Sequence, residues 1–279
     1  MPTQLPPDLS IGAIFPREDP RDALVVRADL AETYKSLAAL PEGSVIGTSS
    51  LRRSAQLKRL YPHLRFADMR GNVGTRLSKL DAEGSQYAAL ILAAAGLIRV
   101  GMGNRITAAL SKKDGGMLHA VGQGAIGVEV RSGDDEVKRL LEKVGCERTT
   151  RACLAERSLM RTLEGGCSVP IGVETEWGRR SKTHRVATGV QPAADYDHMT
   201  GEAKEEGEEE TDELTFRAIV VSLDGKQYVE AQRTQIITTR EDADQFGWTI
   251  AQELVSKGAD KILEEINLDR GIIQEQGGA

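Results

Sequence analysis

SVIGTSSLRRSAQLKRLYPHLRFADMRGNVGTRLSKLDAEGSQYAALILAAAGLIRVG, residues 44–101, is the stretch that decides the fold. Ser44–Gly47 is a short β-prone run. Thr48, Ser49 and Ser50 follow as N-cap candidates, since their hydroxyls can accept from the free N–H groups of a first helical turn. LRRSAQLKRL (51–60) is helix-compatible, Leu64–Met69 predicts a second strand, and Arg70-Gly71-Asn72 a turn into a second helix, VGTRLSKL (73–80). YAALILA (87–93) is an unbroken apolar run, typical of a strand buried on both faces, and AAGLIRVG opens a further helix. Strand–helix–strand–helix–strand predicts a parallel α/β sheet.

In such sheets ligands bind beyond the carboxyl ends of the strands. Arg52, Arg53, Arg70 and Arg76 all fall just after predicted strand ends, and Arg99 lies in the first turns after the third strand. Five guanidiniums converging on helix N-termini would make an anion site, because the planar fork of arginine matches carboxylate or phosphate. The competing reading is a set of surface arginines in scattered ion pairs. Their repeated placement favours a polyanionic ligand.

Outward from this stretch, the chain has 279 residues, 36 Lys+Arg against 42 Asp+Glu, and a net charge of −6. That length suggests about two domains at roughly 100–200 residues each. The 40% apolar and 28% charged composition excludes collagenous and wholly disordered chains. The longest apolar run, Ala88–Ile98, is short of the ~20 residues of a bilayer span, so no membrane association is expected. Three cysteines argue against a disulfide scaffold, and MPTQLPPDLS shows no export signal; a cytoplasmic setting follows. Between Arg52 and Lys79 lie eight basic residues and one acid, Asp68, whereas Glu202–Glu213 holds eight acids and Lys204. The acidic stretch reads as a solvated insertion loop, about 176–213. Nucleic-acid binding by the basic segment is not expected, because no aromatics interleave it for base stacking and the whole chain is acidic.

Gly122-Gln123-Gly124-Ala125-Ile126-Gly127 matches GxGxxG, but strand-like IGVEVR follows where a dinucleotide site needs a helix. The glycines predict a hinge or tight turn instead. Four scattered histidines and no CxxC give no metal site. Cys146 and Cys153 read as structural thiols. RACLAERSLMRTLEGG (151–166) predicts an amphipathic helix stopped by Gly165-Gly166, which leaves Cys167 on an accessible loop before a new strand. A helix C-terminus does not favour a thiolate, so residue chemistry alone leaves Cys167 open between a functional and a plain structural role.

Six segments carry a resemblance: GAIFPREDPRDALV (12–25), GTSSLRRSAQLKRLYPHL (47–64), MRGNVGTRLSKLD (69–81), LILAAAGLIRVG (90–101), HAVGQGAIGVEVR (119–131) and ERSLMRTLEGGCSVPIGVE (156–174). In order and spacing the chain resembles the porphobilinogen deaminases, also called hydroxymethylbilane synthases, and ILEEINLDR (262–270) is similar to fungal members. The resemblance implies a transferase that joins four porphobilinogen molecules head to tail and releases ammonia at each step. The chain grows on a dipyrromethane cofactor, in the tetrapyrrole and haem pathway. It implies Cys167 as the covalent attachment, with Thr48, Ser50, Arg52, Arg53 and Gly71 around the cofactor. Arg70, Arg76 and Arg99 would then bind substrate. Each pyrrole carries two carboxylates, which accounts for an arginine cluster in an acidic chain.

The implied fold is two periplasmic-binding-protein-like (type II) α/β domains, the first incomplete, plus a small α+β domain. On that mapping 1–20 and 124–142 are remnants of the first domain, 21–123 is the second and 143–279 the third, and the protein is a monomer. Family members carry a catalytic aspartate just ahead of the position that Met1 occupies here, so the resemblance assigns no catalytic acid within the chain. Asp68, Asp81 and Glu129 sit in no matching motif, and the expectation is an N-terminally shortened chain starting at Met1, poorly soluble and with negligible activity. A non-catalytic anion-binding module of the same fold is the alternative, which would have no reason to keep the GGC loop.

Overall fold

The computed structural model describes residues 4–163, 169–181 and 208–276. In chain order its elements are β1 (Leu9–Ile14), β2 (Asp22–Val26), β3 (Val45–Gly47), α1 (Leu51–Leu60), β4 (Arg65–Ala67), α2 (Val73–Leu80), β5 (Tyr87–Ala93) and α3 (Ala94–Arg99). They continue as β6 (Ala108–Leu110), β7 (Gly127–Arg131), α4 (Asp135–Glu142), α5 (Glu147–Thr162), β8 (Ile171–Ser181), β9 (Glu208–Val221), β10 (Tyr228–Ile236), α6 (Arg240–Ser256) and α7 (Ala259–Gln276).

The stretch 44–101 folds as its pattern predicts, with α1 and β5 spanning the expected residues and β4 shorter at each end. β3 pairs in parallel with β4 and β5. The sheet is not wholly parallel, however. Its order is β4-β3-β5-β2-β6, and β2 runs antiparallel to both neighbours. Four strands run one way, and β2 is inserted among them in reverse. β2 enters from the segment that crosses over from β1, so no helix turns it round.

Alternation along β2 and β5 splits the interior in two. Leu24, Val26, Ala89 and Ile91 face Ile46 and the α1 residue Leu57. Ala23, Val25, Leu90 and Leu92 face Leu77 and Leu80 of α2 and Leu97 of α3. A strand buried on both faces needs such a continuous apolar run, and helices cover either side.

β1 and β7 form a two-stranded antiparallel sheet, and β10-β9-β8 a three-stranded antiparallel one. α5, α6 and α7 pack on the latter around Phe216 and Phe246, whose rings meet edge to face at 5.9 Å. α5 departs from the amphipathic expectation: ten of its sixteen residues are buried, Glu156 and Arg157 among them. The reason is that it is gripped on several sides, by α6, β1 and β8.

The acidic insertion is narrower than expected. β8 continues to Ser181 and β9 begins at Glu208, so 176–181 and 208–213 are strand. The register places Trp177 beside Leu214, which is fully buried, and pairs 179–181 with 208–210. Backbone pairing along the ladder, anchored by the apolar burial of Leu214, holds acidic residues that read, in isolation, as loop.

Candidate anion-binding site

The site begins where β3 and β4 end. The Thr48 N–H donates to the Ala67 carbonyl, and its Oγ1 accepts from the Ser50 N–H at 3.2 Å. Ser50 caps α1, accepting from the Arg53 N–H. Ser49 Oγ donates to the Met69 carbonyl at 2.8 Å and accepts from its N–H. The β3–α1 and β4–α2 turns are thereby stitched together. Asn72 caps α2 by accepting from the Thr75 N–H at 2.8 Å. Gly71 before it has φ +123°, and a Cβ there would lie 3.0 Å from Thr75 Cγ2, so this corner requires glycine.

The five arginines divide. Arg70 stands 81% exposed beside Asp68, with Nε 2.9 Å from its carboxylate. Arg76 is half-buried and donates from Nε to the Gly71 carbonyl at 2.7 Å. Its charge reaches both Asp68 and Arg53. Arg53, at the start of α1, donates Nε to Asp22 Oδ1 at 2.8 Å and Nη1 to the Ile91 carbonyl at 3.0 Å. Arg52 turns inward: it is 6% exposed and donates to Asp22 Oδ2 and the Leu118 carbonyl, each at 2.7 Å. Arg99 lies toward the crossover segments, donating to Glu18 at 3.0 Å and to the Gly124 carbonyl at 2.9 Å. The expected convergence of five therefore narrows to Arg53, Arg70 and Arg76, with Arg52 beneath and Arg99 beside.

Asp22 opens β2 and is fully buried. Burial would raise its pKa, but the charges of Arg52 and Arg53 outweigh that and hold it at about 2. Burial pushes the Arg53 pKa down, against the pull of Asp22. Gln123 from the GQG segment donates to Asp22 Oδ1 at 3.1 Å and to the Pro20 carbonyl at 2.7 Å.

A second buried pair lies across the same segment. Arg17 donates to Glu156 at 2.6 and 3.0 Å and to the Gln123 carbonyl at 2.9 Å. Glu156 also accepts from the Gly122 N–H and the Thr175 hydroxyl, each at 2.7 Å. Burial works against its ionisation, yet the charge of Arg17 and the hydrogen bonds from Arg17 and the Gly122 N–H keep its pKa below the ordinary value.

The glycines of the rejected dinucleotide motif serve as turns. Gly122 and Gly124 have φ +66° and +82°, and a Cβ on Gly124 would lie 2.5 Å from the Glu18 carbonyl oxygen. Sequence reading alone passes over Asp22, Gln123, Arg17 and Glu156. A carboxylate heading the apolar run DALVV is the available signal, because a buried acid needs a partner.

Cys167 and the Gly165-Gly166 stop lie outside the described residues. So does Met1, the position ahead of which the resemblance puts the family's catalytic aspartate. Of the three acids in no matching motif, Asp68 pairs with Arg70 and Asp81 with Arg105, while Glu129 stands on β7. Cys153 is buried, and burial pushes its thiol up to about 12; Cys146 is half-buried at the N-cap of α5. Among the described residues no group of His, Cys, Asp and Glu could hold a metal ion, and no helix is long and apolar enough to cross a membrane. Arg70, exposed beside the largely buried Arg53 and half-buried Arg76, leaves positive charge at this corner that suits a ligand with several carboxylates. Among the described residues Arg53 donates to Asp22 and to the Ile91 carbonyl, and its Nη2 forms an ion pair with Asp22.

Comparison with known proteins bears on the ligand. Residues 1–139 match the family model described as porphobilinogen deaminase, dipyromethane cofactor binding domain, and residues 150–183 match porphobilinogen deaminase, C-terminal domain. Porphobilinogen deaminase of Yarrowia lipolytica is 49% identical over 96% of this chain and 69% of its own length. Those of Candida albicans and Saccharomyces cerevisiae are 46% and 45% identical over 98% and 97% of this chain, and 69% and 72% of their own lengths. An amino acid ABC transporter substrate-binding protein from Streptococcus pneumoniae is 18% identical, covering 49% of this chain and 60% of its own, with a TM-score of 0.28. On the extent and identity of the sequence matches, the chain belongs to the porphobilinogen deaminase family of transferases, whose dipyrromethane-binding domain it carries.

Proposed function

We propose that this chain performs hydroxymethylbilane synthase chemistry, the stepwise head-to-tail joining of four porphobilinogen molecules with loss of ammonia. Its dipyrromethane cofactor is held covalently through Cys167. When bound, the cofactor supplies the pyrrole carbon to which the first new unit is joined. Thr48, Ser50, Arg52, Arg53 and Gly71 form its cradle, and Arg70, Arg76 and Arg99 bind the carboxylates of incoming units.

The observation that carries this reading is the grouping of Arg53, Arg70 and Arg76 at the starts of α1 and α2. Guanidiniums there neutralise carboxylates, fix the ring edge by paired hydrogen bonds and favour one orientation of the reacting carbon. Arg99 is borrowed from Glu18 when a ligand carboxylate reaches it.

Asp22 is locked between two arginines, Asp68 is paired with Arg70, and Glu18 with Arg99. None of these three carboxylates is free to serve a leaving amine. The same reading makes 1–20 with 124–142, 21–123 and 143–279 three structural units of a cytoplasmic monomer.

The test is to incubate purified protein with porphobilinogen and record intact mass with ammonia release. The expected result is stable gain of pyrrole units with release of ammonia, both lost in the Arg53→Ala/Arg76→Ala variant. Unchanged mass in the parent protein would overturn the reading.

A further inference from the structure

We infer that Asp22 is a positioning residue for the two arginines that open α1, and that Gln123 fixes Asp22 from the neighbouring crossover segment. The inference rests on the proposed role of those arginines in gripping pyrrole carboxylates, and extends it to residues with no assigned part in the reaction.

One carboxylate serves both guanidiniums. Asp22 Oδ2 accepts from Arg52 Nη1 at 2.7 Å. Oδ1 accepts from Arg53 Nε at 2.8 Å, Arg52 Nη2 at 3.2 Å and Gln123 Nε2 at 3.1 Å, and Arg53 Nη2 forms an ion pair with it at 2.7 Å. A carboxylate offers about four lone-pair sites, so Asp22 is saturated and cannot take up substrate or a proton in turnover. Backbone carbonyls finish the alignment. Leu118 accepts from Arg52, and Ile91, in β5, accepts from Arg53. Each guanidinium is therefore fixed from at least two directions before any ligand arrives. Preorganised donors spare the ordering cost that a mobile arginine pays on binding.

Gln123 gives this arrangement its link to the rest of the molecule. Its side chain holds Asp22 and the Pro20 carbonyl, while its own carbonyl accepts from Arg17 Nε at 2.9 Å. Gly122 next to it donates to Glu156. Both chain crossings, 15–21 and 120–126, thus converge on the aspartate that aims the arginines. A glutamine supplies both an N–H donor for the carboxylate and a carbonyl oxygen turned toward Arg52, at 3.5 Å.

Charge and position make opposite forecasts, which allows a clean test. Asp22→Asn removes a negative charge beside two arginines, so electrostatics alone would tighten binding of an anion. Loss of positioning would weaken it. The probe is a synthetic dipyrromethane tetracarboxylate, titrated calorimetrically into full-length protein made in cells that produce no porphobilinogen. A flexible butane tetracarboxylate serves as the comparison ligand.

The expected result is about tenfold weaker probe binding for Asp22→Asn. Its preference for the dipyrromethane over the flexible acid also collapses, which a purely structural role would not produce. Asp22→Glu, with charge kept and reach altered, also weakens binding. Should Asp22→Asn fail to fold, Gln123→Met decides: it leaves every charge in place and is expected to lose about threefold. Equal or tighter binding by the folded Asp22→Asn protein, or by Gln123→Met, would overturn the inference. Failure of the parent protein to bind the probe would instead overturn the arginine reading on which it rests.

Discussion

Replacing Glu156 by Gln removes one charge from the interior and leaves its partner behind. Glu156 is fully buried and Arg17 is 11% exposed, so the guanidinium would be stranded away from water. The carboxylate receives two bonds from Arg17, one from the Gly122 N–H and one from Thr175. Gln can keep some of these, but its amide NH2 would point a donor at another donor. Breaking a buried pair by removing one partner costs about 3–5 kcal/mol. At about 2–4 °C per kcal/mol for a chain of this size, the melting temperature should fall by roughly 6–20 °C. Urea and thermal unfolding followed by circular dichroism measure both quantities. The Arg17→Met/Glu156→Leu double variant strands no charge and should lose less than Glu156→Gln. A loss below about 1 kcal/mol for the single variant would refute the reasoning.

Asp22 sets an acid limit. Its folded pKa of about 2 lies below the ordinary 3.8, so its contribution is fully present above about pH 4 and is lost as pH falls toward 2. That contribution is worth about 2 kcal/mol, and a urea midpoint that falls between pH 4 and 2 in the parent but less in Asp22→Asn would show it. Gly124→Ala should destabilise by about 1–3 kcal/mol, since φ is +82° and the Cβ would press on the Glu18 carbonyl. Gly96→Ala, inside α3 with open space at its Cβ, should be neutral or stabilising by about 0.5–1 kcal/mol, so equal urea midpoints for the two variants would contradict the geometry. The buried Cys153 thiol, pushed up to about 12, should resist a thiol reagent in native protein and react on unfolding; rapid native labelling of Cys153 would contradict its placement.

Local patterns carried most of the fold. Ser50 was legible, with Thr48 and Ser49, as a cap candidate because a hydroxyl before a helix-compatible run has few other uses; Asn72 was legible only as part of a turn, and YAALILA read as a buried strand. The reversed direction of β2 was not legible, because it depends on where the crossover from β1 delivers the chain. The extent of β8 and β9 was hidden too: the acidic run from Glu208 reads as loop until the ladder pairs 208–210 with 179–181. At the site, arginine positions could be read from strand ends, whereas their partners could not. Asp22 lies thirty positions before Arg52, and Gln123 lies a hundred and one positions after Asp22. Nothing local in the sequence announces pairs at that separation.

The central claim is that a two-pyrrole cofactor hangs from Cys167 before arginines that hold its carboxylates. Peptide mapping by mass spectrometry, after incubation with porphobilinogen, addresses it directly. The account predicts the adduct on the peptide containing Cys167, retained in Cys146→Ser and Cys153→Ser and absent from Cys167→Ser. An adduct on either of the other cysteines, or one that survives in Cys167→Ser, would contradict it.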